Sequence, residues 1–140
     1  MDLIPTLGTL VPGRALDLAC GSGSHSRWLA AHGWTVTSVD LVPAWDGVVQ
    51  ADLKRGEFPI VPGGWDLILC RRYWQEDLQP AIARGVRPGG VVALAGKKTG
   101  RFATSLEKYR AEFGGWTELA SGEDEFLVFL IARRTEELVD

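Results

Sequence analysis

Five short apolar runs recur along this chain, and helix-like or turn-rich stretches separate them. That alternation leaves few folds open. "RALDLA" (14–19) is short, continuous and apolar, as a strand buried on both faces is. "TVTSVD" (35–40) is β-branched, and "VVQADL" (48–53), "WDLILC" (65–70) and "VVALAG" (91–96) follow as further strands. Helices are expected over 24–33, with Trp28, Leu29 and His32 along one side and Gly33 as the stop, over 75–86 and over 103–115. Pro80 fits the second helix only in its first turn. "RPGG" (87–90) breaks that helix and launches the fifth strand. "WTELAS" and "EFLVFLIAR" read as a hairpin around Gly122, Glu123 and Asp124. The last residues, "TEELVD", are expected to fray.

Strands that alternate with helices make an α/β fold with a mostly parallel sheet, to which the hairpin adds one antiparallel strand. Two crossovers are short. Only "LVPAWDG" separates Asp40 from Val48, and "LKRGEFPIVPGG" between Asp52 and Trp65 is poor in helix formers. A helical crossover needs about ten residues or more. Reduced crossover helices are therefore expected, with Trp45 and Phe58 covering the sheet instead.

A chain of 140 residues suits one domain, 1–140, with its core over 14–134. The net charge of −3 argues against a protein that grips nucleic acid by general electrostatics. No apolar run is long enough to span a membrane, and "MDLIPTLGTL" lacks the features of a signal peptide. Cys20 and Cys70 show no metal or redox spacing, so reduced thiols and a cytoplasmic location are expected.

The stretch "LDLACGSGSHSRWL" (16–29) combines a strand, a glycine turn and a helix start. Ligands of open α/β sheets bind at the carboxyl ends of the strands. Glycine there permits positive φ and close approach of a ligand to the backbone, and the following helix offers free N–H groups. Two details discriminate between ligands. Ser26 stands where a dinucleotide fingerprint has its third glycine. Asp17 precedes the turn, where its carboxylate would repel a pyrophosphate and attract an ammonium group. A ligand with both a carboxylate and an amine suits this site, and the methionyl part of S-adenosylmethionine is such a ligand.

"LDLACGSGSHSRWLAAHGWTVTSVD" resembles the first motif and second strand of class I S-adenosylmethionine-dependent methyltransferases, with Ala19 in place of the usual first glycine. "VVQADL" resembles their third-strand motif, "WDLILCRRYW" the fourth, and "IARGVRPGGVVALAG" the helix and fifth strand after it. The wording is most similar to the small-molecule, tellurite-resistance-type branch, in a short form. The resemblance implies a Rossmann-like seven-stranded, mostly parallel sheet of order 3-2-1-4-5-7-6 with the last strand antiparallel. It implies S-adenosylmethionine as cofactor. Asp17, Ala19, Gly21 and Gly23 would surround the methionyl end, Asp40 would bind the ribose hydroxyls with Leu41 beside it, and Asp52 and Leu53 would meet the adenine. Cys70 and Arg71 lie where a backbone carbonyl often meets the methionyl amine. No metal is implied.

Plainer roles stay open for each residue. Asp17, Asp40 and Asp52 can cap loops. His25 can be a polar surface residue of a first helical turn, or a base near the cofactor. Arg71 and Arg72 can recognise an anionic substrate or form a solvated pair. Tyr73 and Trp74 can wall the substrate site or staple the next helix. No residue must be a general base; Tyr73 and His25 are the candidates. The N/D-P-P-Y/F motif of amino-methylating nucleic-acid enzymes is missing, and "CRRYW" stands in its place. The expected partner is a small-molecule methyl acceptor. A second copy of the chain, a partner subunit or a bulky substrate is expected to close a pocket that has few N-terminal helices over it. The alternative is a non-catalytic cofactor-binding module that regulates or completes a partner protein. A nicotinamide-dependent reductase is a third reading, which Asp17 and Ser26 oppose.

Overall fold

The computed structural model describes residues 2–135. Strands β1 (Arg14–Leu18), β2 (Thr35–Asp40), β3 (Val49–Gln50), β4 (Trp65–Arg71), β5 (Val86–Lys97), β6 (Thr117–Glu123) and β7 (Leu127–Arg133) form one sheet. Its order is β3-β2-β1-β4-β5-β7-β6, as the family resemblance implies. Strands β1 to β5 pair in parallel, and β7 runs antiparallel to both β5 and β6. The helices are α1 (Ile4–Leu7), α2 (Ser24–Ala31), α3 (Gln79–Gly85) and α4 (Leu106–Phe113).

The sheet has a core on each face. On one, Leu3, Leu7, Leu29 and Trp34 from the α1–α2 side pack with Ala15, Leu67, Leu69 and Ala93. On the other, Ile82, Tyr109 and Phe113 from α3 and α4 pack with Leu16, Leu18, Ile68 and Val92. Successive residues of a strand point to opposite faces, so Leu16 and Leu18 face α3 and α4. Asp17 between them faces α2 and lies in register with Ser38 of β2 and Leu69 of β4.

Several boundaries differ from the expectation, each for a local reason. The third strand shrinks from 48–53 to Val49–Gln50, because Asp52 turns the chain into a 3₁₀ turn, Leu53–Arg55. Its carboxylate accepts the Lys54 N–H at 2.9 Å, and Glu57 accepts the Asp52 N–H at 2.7 Å. The fifth strand begins at Val86, so "RPGG" is part of it; an irregularity opposite Trp65–Leu67 absorbs the glycines. The helix expected over 75–86 is a 3₁₀ turn, Glu76–Leu78, followed by α3, with Pro80 in its first turn. The short helix α1 escaped the sequence reading. It inserts Leu7 into the core, and the residue before it, Leu3, is buried there too. The fraying expected for 135–140 falls, Thr135 apart, outside the described residues.

Of the two aromatic residues expected to cover the sheet in place of helices, Phe58 does so and Trp45 does not. Phe58 and Ile60, in the connection from β3 to β4, pack against the α3–α4 core. Trp45, in the connection from β2 to β3, stands over Gly23 at the start of α2. Among the described residues no helix is long and apolar enough to cross a membrane.

Candidate functional site

The β1–α2 turn is shaped by positive φ. Ala19, Gly21 and Gly23 have φ of +53°, +58° and +86°. Such angles are cheap for glycine and cost a residue with a β-carbon about 1 kcal/mol or more. A β-carbon built on Gly21 meets nothing within 4 Å, so its bare face looks into open space. One built on Gly23 runs into the Trp45 ring. Only the first glycine is free for a ligand; the second is glycine because Trp45 occupies its side-chain space.

At the carboxyl ends of β1, β2 and β4 lies a cavity of about 540 Å³. Ala19 and Gly21 line it from the glycine turn, Asp40, Leu41 and Val42 from the end of β2, and Ala51, Asp52, Leu53 and Lys54 from the 3₁₀ turn. Arg71, Arg72 and Tyr73 close it after β4, and Arg101 and Phe102 after β5. The structure thus gathers Ala19, Gly21, Asp40, Leu41, Asp52, Leu53, Arg71 and Tyr73 around one space, as the sequence reading grouped them. Three residues of the same wall, Ala19, Arg72 and Phe102, are the non-glycine residues with positive φ among the described residues. Strain of this kind concentrates at functional sites.

Asp17, Gly23 and Cys70 lie behind the wall. Asp17 is only 2% exposed. Its carboxylate accepts the Ser26 hydroxyl at 2.6 Å, and Ser26 in turn bonds Ser38 at 2.7 Å. This small polar cluster joins β1, β2 and α2. Burial pushes the Asp17 carboxyl up to about 6, against the hydrogen bond from Ser26 and the charge of Arg71. Cys70 is buried, its thiol facing the Tyr73 carbonyl at 3.6 Å and pushed up to about 12 by burial and by Asp17. Both thiols are free and inert toward ionisation near neutral pH.

Asp40 ends β2 with one carboxylate oxygen on the Gly21 N–H and the other on the Val42 N–H, each at 2.9 Å. Each oxygen retains a second lone pair for a ligand. Asp52 is both the cap of the 3₁₀ turn and part of the cavity wall, so its plainer role and its proposed one coexist. The Tyr73 hydroxyl donates to Gln75 at 2.6 Å, and Gln75 reaches the Leu53 carbonyl at 3.3 Å. Burial pushes this phenol up to about 12. Tyr73 therefore braces the wall and stays protonated.

His25 lines a second cavity, of about 220 Å³, together with Asp2, Arg71, Arg72, Ala95, Gly96, Leu127 and Val128. Burial, with the charge of Arg71, lowers the imidazole to about 4, so it is neutral at physiological pH. The wall residues that sequence reasoning missed are Val42, Ala51, Lys54, Arg101 and Phe102. The rings of Tyr73 and Phe102 lie 4.8 Å apart, and Lys54 and Arg101 sit over Phe102 at 5.1 and 4.9 Å. The dipeptide Arg101–Phe102 follows a Lys-Lys-Thr-Gly turn and carries no local pattern that marks a site.

Comparison with known proteins bears on the family and the fold. Residues 1–53 match the model of the tellurite resistance protein TehB family. The malonyl-[acyl-carrier protein] O-methyltransferase of Pseudescherichia vulneris is 32% identical over 124 residues, covering 78% of this chain and 49% of that protein. The chain thus spans about half the length of that curated relative. Among solved structures, TehB from Haemophilus influenzae superposes with a TM-score of 0.79 at 15% identity, over 94% of this chain and 61% of that one. The N-methyltransferase NodS from Bradyrhizobium japonicum superposes with a TM-score of 0.73 at 19% identity, over 96% and 92%. In strand order, motif order and relatives alike, the chain belongs to the class I S-adenosylmethionine-dependent methyltransferase family, of the TehB type.

Proposed function

We propose that this chain transfers a methyl group from S-adenosylmethionine to a small molecule. The observation that carries the reading is the bare face of Gly21, open to a cavity that Asp40 also lines. The residues present fit the cofactor. Gly21 lets an amino-acid tail approach the backbone, while the buried charge of Asp17 behind the turn favours an ammonium group. Asp40 offers acceptor lone pairs to a ribose diol. Leu41, Ala51 and Leu53 give an apolar slot for a flat base.

The bound cofactor supplies an electrophilic methyl group on a sulfonium, and the protein's share of the chemistry is orientation and exclusion of water. Arg71 and Arg72 form the partition between the two cavities. The larger cavity takes the cofactor and the smaller one the acceptor. His25, neutral and facing the smaller cavity, can accept a hydrogen bond from an acceptor that carries a proton. Tyr73 cannot act as a base while its hydroxyl donates to Gln75. Leu41 and Val42, 58% and 71% exposed at the rim, offer an apolar edge that a second subunit or partner would cover.

Calorimetry with S-adenosylhomocysteine, then a turnover assay across thiols, metalloid oxyanions, phenols and amines, tests this reading. Micromolar binding with transfer to at least one class is expected. Tight binding with no transfer to any class favours a cofactor-binding module that completes a partner protein. No binding removes the reading.

A further inference from the structure

Among the described residues, the last residue of β4 and the one after it, Arg71 and Arg72, are the only ones shared by the two cavities. Neither forms an ion pair with a described carboxylate, whereas Arg87, Lys98 and Arg110 each do. The carboxylates of the larger cavity are already engaged: Asp40 holds the N–H groups of Gly21 and Val42, and Asp52 holds that of Lys54. Two adjacent guanidinium groups thus face the hollows without a counter-charge in contact. Burial and the charge of Arg72 depress the basicity of Arg71, against the charges of Asp17 and Asp2, neither of which is in ion-pair contact with it.

Arg72 adopts φ +58°, and its N–H donates to the Ala95 carbonyl at 2.8 Å. Glycine would meet the same backbone demand without strain. An arginine in this conformation indicates a use for its side chain. The cofactor cannot neutralise the pair. Its methionyl carboxylate can meet one guanidinium, but its ammonium and sulfonium groups add two further positive charges. A second anion is needed, and the acceptor is the remaining component able to bring it.

The smaller cavity says more about that acceptor. At about 220 Å³ it is below the range of roughly 300–1,000 Å³ that holds drug-sized ligands. Ala95 and Gly96 of β5 and Leu127 and Val128 of β7 give it an apolar floor, which a bare inorganic oxyanion would not use. Asp2 and His25 stand in the wall as well. The negative Asp2 repels an anion, so the charged end of the acceptor points to the arginines. We infer that the methyl acceptor is a compact organic anion, carboxylate- or phosphate-bearing, whose charge docks on Arg71 and Arg72 and whose apolar body lies against β5 and β7. This rests on the reading of the chain as a methyltransferase.

Benzoate, its neutral analogue benzamide, phenyl phosphate and inorganic phosphate are titrated calorimetrically into the protein, with and without S-adenosylhomocysteine. The same titrations are made with Arg71→Gln and Arg72→Gln, each checked for folding by its melting transition. Charge-assisted bonds of ordinary strength predict that benzoate or phenyl phosphate binds about tenfold or more tighter than benzamide, and that Arg72→Gln brings the ratio to within about twofold. The tighter of the two aromatic anions identifies the head group. Equal binding of benzamide and both anions overturns the inference. So does a preference that survives both substitutions, or binding of inorganic phosphate without either aromatic anion. If S-adenosylhomocysteine does not bind, the methyltransferase reading fails by itself, and the titrations without it still decide whether the arginine pair is an organic-anion site. Should one variant fail to fold, the other carries the comparison.

Discussion

The carboxylate of Asp40 accepts the backbone N–H of Gly21 at 2.9 Å, tying the end of β2 to the turn after β1. One residue therefore sets the spacing of the two loops that bound the larger cavity. Asp40→Ala removes both backbone bonds and the acceptors offered to a ligand. Two charge-assisted bonds at about 1.5–3 kcal/mol each predict a loss of S-adenosylhomocysteine affinity of a hundredfold or more. Asp40→Asn keeps one acceptor oxygen and should fall between the alanine variant and the natural protein. Calorimetry checks the order.

The two glycines of the turn should fail in different ways. Gly21→Val places a branched side chain in the open space of the cavity, at φ +58°. Its main effect is loss of cofactor affinity, with about 1–2 kcal/mol of destabilisation from the backbone conformation. Gly23→Ala drives a methyl group into the Trp45 ring, so stability falls first. Trp45→Ala in the same chain should recover part of the melting temperature that Gly23→Ala loses. Additive losses in the double variant would show that the two residues do not share that space.

Asp17 and His25 give the chain an unusual pH dependence. The Asp17 carboxyl stands at about 6 against an ordinary 3.8, so the folded state holds its proton more tightly than the unfolded one. Its contribution is complete below pH 3.8 and is lost as pH rises through 6, by about 3 kcal/mol. His25 stands at about 4 against 6.5. The unfolded state then binds the extra proton, and stability rises with pH between those values. The two slopes oppose each other between pH 4 and 6. Asp17→Asn should raise the melting temperature at pH 8, expose the rising slope of His25 between pH 4 and 6.5, and weaken S-adenosylhomocysteine binding. A variant with unchanged affinity would show that the buried charge plays no part in holding the ligand.

Much of this architecture was legible in the sequence because it is carried by local, repeated signals. The apolar runs at 35–40, 65–70 and 91–96 lie in strands, as does 14–18 of the first run, with Ala19 already in the turn, and the residues at their carboxyl ends converge because parallel strands share a direction. That convergence points to the glycine turn after β1, whereas the grouping of Asp40, Leu41, Asp52, Leu53 and Arg71 came from the resemblance to the methyltransferase motifs. Asp52 ended its strand early because a capping aspartate competes with strand pairing. "RPGG" read as a break, and although it falls within β5 it takes part in neither ladder: the ladder to β4 passes from Val86 to Val91 and the ladder to β7 starts at Val91, so the glycines sit in an irregularity of the strand. Phe102 and Arg101 could not be found, since only the fold brings the loop after β5 to the loops after β3 and β4. Gly23 was grouped with Gly21 on its place after the first strand and on the family resemblance, and the contact with Trp45 that separates them is non-local.

The central claim is that an amino-acid tail docks at the bare backbone of Gly21 while the attached nucleoside lies along Asp40 and Leu53. A crystal structure of the protein grown with S-adenosylhomocysteine measures this directly. The account predicts the methionyl carboxylate and amine within hydrogen-bonding distance of the turn formed by residues 19–21, both ribose hydroxyls on Asp40, and the adenine between Leu41 and Leu53. A ligand that binds with its tail remote from that turn, or with its ribose away from Asp40, would contradict it.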